Sequence, residues 1–266
     1  MKKAILVVSF GTSLAAAGKK AIDPIEDKIR LAFPAYDVRR AYSSHIIINK
    51  IKERDNIHID NPVEALERLI DQEYNQVIVQ PLHIIPGLEY QYLRSVVKEF
   101  SHKKAFSKIR LARPALYYKG KKDRPDDYKI FVDAMEEDLN KKDNFLLMAH
   151  GTSHQANECY LQLQQSFYKE GYKNVYIASL KGYPDISLIK ERLIKDNVDQ
   201  VILKPLMLVS GRHVYKDMLG DNKGSWQNIL EDAGIKTRAD TKSLGEIRAF
   251  QDIYIEHIRE AIRRSD

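Results

Sequence analysis

Apolar residues in this chain gather into short unbroken runs, and the segments between the runs carry their apolar residues at helical spacing. Ile5-Leu6-Val7-Val8, Val77-Ile78-Val79 and Phe145-Leu146-Leu147-Met148-Ala149 are apolar at every position, as strands buried on both faces of a parallel sheet require. The pattern predicts strands over residues 4–10, 37–42, 76–80 and 108–112 in the first half, with helices over 44–54 and 90–102. Two further helix entries are written alike. Asp23-Pro24-Ile25-Glu26 and Asn61-Pro62-Val63-Glu64 each place a capping residue before a proline, with a carboxylate positioned to reach back. The second half reads as helix 128–140, strand 144–149, helix 155–170, strand 174–178, helix 185–195, strand 199–204, a helix near 225–233 and strand 236–239. A last helix, 246–264, repeats Ile247, Phe250, Ile253, Tyr254, Ile258 and Ile262 along one face, so it needs a groove to cover. Strict alternation of strand and helix predicts α/β architecture with one doubly wound parallel sheet per half. The polar link at 120–127 sets expected domains of 1–126 and 127–266, with helix 246–264 packing back on the N-terminal domain.

The halves also repeat each other. Ser9-Phe10-Gly11-Thr12-Ser13 matches Ala149-His150-Gly151-Thr152-Ser153, and Pro81-Leu82-His83-Ile84-Ile85-Pro86-Gly87-Leu88-Glu89 matches Pro205-Leu206-Met207-Leu208-Val209-Ser210-Gly211-Arg212-His213. The offset is 140 residues for the first pair and 124 for the second, so the connection between the motifs is shorter in the second half. Two diverged copies of one fold follow, rather than a tandem array. Ligands of open parallel sheets bind beyond the carboxyl ends of the strands, where each of these motifs falls, so one interdomain cleft lined by both sets is expected.

Composition narrows the class. The chain has 266 residues, 44% hydrophobic and 30% charged, which suits a soluble globular protein. Its net charge of +6 is spread along the chain without a basic tract, favouring an anionic small molecule over nucleic acid. One cysteine, Cys159, excludes an intrachain disulfide and a thiolate cluster, and fits a reducing compartment. The start imitates a secretory signal, with Met1-Lys2-Lys3, an apolar run and Ala15-Ala16-Ala17-Gly18. Because residues 5–13 match a segment deep inside the chain, they are assigned to the first strand and the protein to the cytoplasm. No run approaches the ~20 apolar residues of a membrane span.

The repeat isolates the candidate chemistry. His150 stands where the first half has Phe10, and His213 where it has Glu89. One half keeping the fold while the other acquires a reaction leaves this kind of difference. Imidazoles ligate divalent transition metals and act as bases near neutral pH. With Glu89 and His83 they make an N/O set suited to cobalt, nickel, iron or zinc. A strand-end histidine is as often an ordinary hydrogen-bonded core residue, and it is the pairing on repeat-related strand ends that favours function. Gly151-Thr152-Ser153 reads either as a tight turn or as a loop whose amides suit an anion. Tyr90, Tyr92, Tyr117 and Tyr118 read as packing or as a surface for a flat ring. His45, His58, His102 and His257 read as solvated surface. A hydrolase using Ser153 with His150 is disfavoured, since no Gly-x-Ser-x-Gly elbow is present.

Taken with Arg39-Arg40-Ala41-Tyr42-Ser43-Ser44 and Gly182-Tyr183-Pro184-Asp185, these motifs resemble those of the anaerobic-pathway sirohydrochlorin cobaltochelatases, within the class II chelatases, in the same order over nearly the whole chain. The resemblance implies two Rossmann-like domains, no nucleotide, and a lyase that inserts Co²⁺, with Fe²⁺ or Ni²⁺ as alternatives, into an anionic sirohydrochlorin-type tetrapyrrole on the cobalamin route. It implies that His150 and His213 are the metal-site histidines, expected to deliver the metal and accept protons, and the residues themselves offer Glu89 as a further ligand. Phe10, Gly11, Thr12, Ser13, Ser43, His83, Gly151, Thr152, Lys181 and Met207 are the implied macrocycle contacts. No nucleic-acid or membrane partner is expected, and self-association is left open. In one place the chain departs from the family pattern, which sets a metal-site glutamate just before Gly-Tyr-Pro where this chain has Lys181. Glu89 or Glu158 would then supply the missing carboxylate. The alternative function is a haem or tetrapyrrole binding and transfer protein whose histidines are axial ligands.

Overall fold

The computed structural model describes residues 1–121 and 123–264. Two compact units divide the chain, one formed by Met1–Tyr117 with the segment from Gln251 onward, the other by Tyr118–Phe250. Unit 1 runs β1 (Lys2–Ser9), α1 (Ala15–Ala21), α2 (Asp23–Ala32), β2 (Asp37–Tyr42), α3 (His45–Asp55), α4 (Pro62–Asp71), β3 (Tyr74–Pro81), α5 (Leu88–His102) and β4 (Lys108–Leu111). Unit 2 runs α6 (Asp127–Ala134), β5 (Phe145–Gly151), α7 (Glu158–Lys169), β6 (Val175–Lys181), α8 (Ile186–Lys195), β7 (Gln200–Leu206), α9 (Trp226–Glu231) and β8 (Lys236–Ala239). The last helix, α10 (Arg248–Arg263), begins in unit 2 and continues into unit 1.

Each unit holds a four-stranded parallel sheet, ordered β2-β1-β3-β4 in one and β6-β5-β7-β8 in the other. The orders are the same under the repeat. The central apolar runs are buried throughout, with Ile5 registered against Val38 and Ile78, and Phe145 against Val175 and Ile202. In both sheets the chain leaves the first strand for one side and later returns to the other. The crevices at β1/β3 and β5/β7 are therefore topological switch points, where open α/β sheets place their ligands.

Several helix boundaries correct the sequence reading. Asn61 does cap α4 with a complete capping box, accepting from Val63 and Glu64 while the Glu64 carboxylate takes the Asn61 amide. Asp23-Pro24-Ile25-Glu26 does not repeat it: α2 starts at Asp23 itself after Ile22, and the buried Glu26 carboxylate accepts from Arg40 and Arg30. A nearby guanidinium outcompeted the local cap. Helix α1 is an addition in what reads as a loop, and α6 ends at Ala134, short of the expected 140. His257 was expected at the surface. It is 2% exposed, with Nδ1 3.1 Å from the Arg113 carbonyl. Among the described residues no helix is long and apolar enough to cross a membrane.

Candidate metal and tetrapyrrole site

Strand β5 is buried from Phe145 to Ala149 and then delivers an exposed side chain, His150. Gly151 ends the strand at φ +71°, and a Cβ there would lie 1.8 Å from the Lys181 carbonyl oxygen, so only glycine fits this close approach of β5 to β6. The repeat-related Gly11, at φ +90°, is crowded by a side chain instead, its Cβ position falling 2.5 Å from the Tyr42 ring. The following threonines also correspond. Thr12 Oγ1 accepts from the Leu14 amide at 3.2 Å and Thr152 Oγ1 from the His154 amide at 3.1 Å, so each hydroxyl sets the curvature of its own loop.

His213 arrives from the other side of the same switch point, at the start of the helical turn that follows β7. Its ring lies edge-on to that of His150, with centroids 5.0 Å apart. His150 Nδ1 is 3.0 Å from the Gly151 carbonyl, and His213 Nδ1 is 2.6 Å from Asp217 Oδ2. Both partners accept hydrogen bonds, so in the neutral rings both Nδ1 atoms carry the proton and both Nε2 lone pairs are left to bind a cation or take up a proton. Desolvation holds His150 below the ordinary imidazole value, against the opposing bond to Gly151, and the nearness of His213 and of the Lys181 cation adds to the lowering. His150 thus stays neutral, as a metal ligand must, further into the acid range than a free imidazole.

Comparison with known proteins decides the family. A family model described as Cobalt chelatase (CbiK) matches residues 3–263. The sirohydrochlorin cobaltochelatase of Salmonella typhimurium is 33% identical over 98% of this chain and 97% of its own. The chain belongs to the cobalt chelatase family. A second member, the sirohydrochlorin cobaltochelatase CbiKC of Nitratidesulfovibrio vulgaris, is 28% identical over 100% of this chain and 92% of its own. Among solved structures, SirB from Bacillus subtilis with Fe³⁺ superposes at TM-score 0.67 and 12% identity, covering 99% of this chain and 96% of SirB. CbiX, described as the terminal enzyme of siroheme biosynthesis in denitrifying bacteria, does so at 0.56 and 16%, covering 97% and 99%. These likenesses show the fold.

Within this cobalt chelatase the other expected residues divide between the units. In unit 2, Lys181 ends β6 exposed, in register with Gly151, and its charge is felt at His150. The Thr152 amide donates to Asn157, Met207 packs half-buried on the core, and Glu158 opens α7. In unit 1, Phe10 is 49% exposed after β1, Ser13 offers its carbonyl to Arg54, and Glu89 lies in the first turn of α5. Ser43 is buried, with no hydrogen-bond partner for its Oγ among the described residues. His83 also has both ring nitrogens shielded and unpartnered among the described residues, and desolvation lowers its pKa to about 4. Tyr90 is buried and packs edge-on against Tyr117, so that pair belongs to the core. The residue that sequence reasoning missed is Asp217, whose only signal was its spacing of four from His213.

Proposed function

We propose that this chain inserts a divalent metal, Co²⁺ foremost, into a sirohydrochlorin-type tetrapyrrole. The observation that carries the reading is the pair of imidazoles, His150 and His213, side by side at a switch point with Nδ1 engaged and Nε2 uncommitted among the described residues in both. Metallation requires the ion to shed water and meet four pyrrolic nitrogens while two N–H protons leave. Two adjacent imidazoles serve both halves of that exchange, first as ligands that replace water and then as proton acceptors once the metal has passed to the macrocycle. Such ligands also take Fe²⁺ and Ni²⁺. The names of the Salmonella and Nitratidesulfovibrio relatives support sirohydrochlorin as the substrate. Lys181, exposed beside the pair, is the proposed contact for a carboxylate of the macrocycle, and Glu89, in the first turn of α5, is proposed as a further ligand.

The test is insertion by purified protein, followed by the absorbance of sirohydrochlorin with Co²⁺, Fe²⁺ and Ni²⁺ in turn. His150→Ala and His213→Ala should each lower kcat/KM by about 100-fold or more with little change in thermal midpoint, because strand-end residues contribute little to the core. A His150→Ala protein that melts early yet metallates normally in its folded fraction would return His150 to a structural role.

A further inference from the structure

The two imidazoles are held by different means. His150 is fixed by its own strand, through the carbonyl of Gly151. His213 opens the helical turn after β7, and what holds its ring is the Asp217 carboxylate one turn further along. That carboxylate is itself well anchored. Residues Val214–Met218 form a wide π-type turn closed by the Leu219 amide on the Val214 carbonyl at 3.1 Å, and Val214 and Met218 are completely buried in the unit 2 core. At the exit of the turn a Cβ on Gly220 would lie 2.3 Å from the Lys216 carbonyl, an oxygen that also accepts from Asn222 at 2.9 Å. Asp217 therefore stands on a braced turn and reaches His213 in a short, charge-assisted contact.

The surrounding charge gives this contact a second consequence. At the end of β6 stands the cation of Lys181, which opposes a divalent metal. Asp217 puts a negative charge beside the pair from the opposite strand end. We infer that Asp217 is the positioning residue of this metal site: it holds the His213 ring with Nδ1 protonated and Nε2 bare, and sets a negative charge against the cation of Lys181. The inference rests on the reading of His150 and His213 as the metal-carrying pair.

The experiment compares wild type, Asp217→Asn and Asp217→Ala. Nitrogen-15 spectra of labelled histidine, taken without metal at a pH where both rings are neutral, report the tautomer of His213. Equilibrium titration with Co²⁺ alone reports affinity, and thermal melting reports folding. Wild type should show a single Nδ1–H tautomer. Asp217→Ala should give a mixture, with Co²⁺ affinity lower by about 10–100-fold, the range for loss of a group that orients a metal-bound imidazole. Asp217→Asn keeps a hydrogen-bond acceptor, so it should retain the tautomer and lose less affinity. Asp217 is not the positioning residue if the alanine variant, folded, keeps both the wild-type tautomer and the wild-type affinity, or if the asparagine variant, which keeps the acceptor, mixes its tautomers as alanine does. Failure of the metal reading looks different: wild type itself would not bind Co²⁺.

Discussion

Lys181 ends β6 as an exposed cation whose charge is felt at His150, and charge alone fixes the direction of its effect. An ammonium close enough to depress the His150 pKa also repels an approaching Co²⁺ and attracts a tetrapyrrole carboxylate. Lys181→Glu should therefore tighten Co²⁺ binding by about 10-fold and weaken sirohydrochlorin binding by a comparable factor, both read by separate titrations. If neither constant moves, position 181 lies outside the site. His83 makes a prediction about stability. Its folded pKa, about 4, lies below the ordinary 6.5, so on acidification the unfolded chain takes up this proton first. The contribution is present in full above 6.5 and is lost as pH falls toward about 4, roughly 3 kcal/mol in all. Urea unfolding at a series of pH values should show a flatter acid limb for His83→Leu, and parallel limbs would mean that the ring finds a partner when protonated. At this scale the pairing of His150 with His213, whose rings lie 5.0 Å apart, was legible, because the repeat set them against Phe10 and Glu89. Asp217 was not, since a carboxylate four residues from a histidine has no mark until the turn is folded.

At the scale of elements, the strand ends depend on glycine only where two backbones meet. Gly151→Ala must push a methyl group into the Lys181 carbonyl and hold an L-residue at φ +71°, so β5 and β6 would have to separate next to His150. The expected result is a thermal midpoint lower by several degrees together with lost Co²⁺ binding. Gly211→Ala is the matched control: nothing lies within 4 Å of its Cβ position, and stability should change by less than about 0.5 kcal/mol. Equal losses in the two variants would remove the steric argument. The parallel strands were legible as unbroken apolar runs, and β8 has the bounds its pattern predicted. Capping was legible at Asn61, where the bonds are local. It was not at Asp23, where Arg40 of β2 claims both Asp23 and Glu26 from a distant part of the chain.

For the whole molecule, the repeat predicted two like sheets, and the sheets share one strand order. Chain continuity distinguishes the units. Unit 2 is a single stretch, Tyr118–Phe250, containing His150, Lys181, His213 and Asp217, and Phe250 at its end packs edge-on against Phe131 at 5.1 Å. Unit 1 is completed by the far end of α10. Tyr254 donates to the Leu82 carbonyl at 3.0 Å, Arg110 donates to the carbonyls of Ala261 and Ile262, and Ile253, Ile255, Ile258 and Ala261 are buried. Burying these side chains is worth on the order of 10 kcal/mol before entropy, comparable with the entire stability of a domain. A fragment of residues 1–117 should therefore show no cooperative melt, and adding a 248–264 peptide should restore one. Residues 118–250 should melt cooperatively by themselves and bind Co²⁺ within about 10-fold of the full chain, because both imidazoles and the Asp217 carboxylate are intact in that stretch. A folded 118–250 fragment that no longer binds Co²⁺ would show that the histidine pair is insufficient without a unit 1 ligand. The same titration on full-length Glu89→Ala would then show whether Glu89 is that ligand.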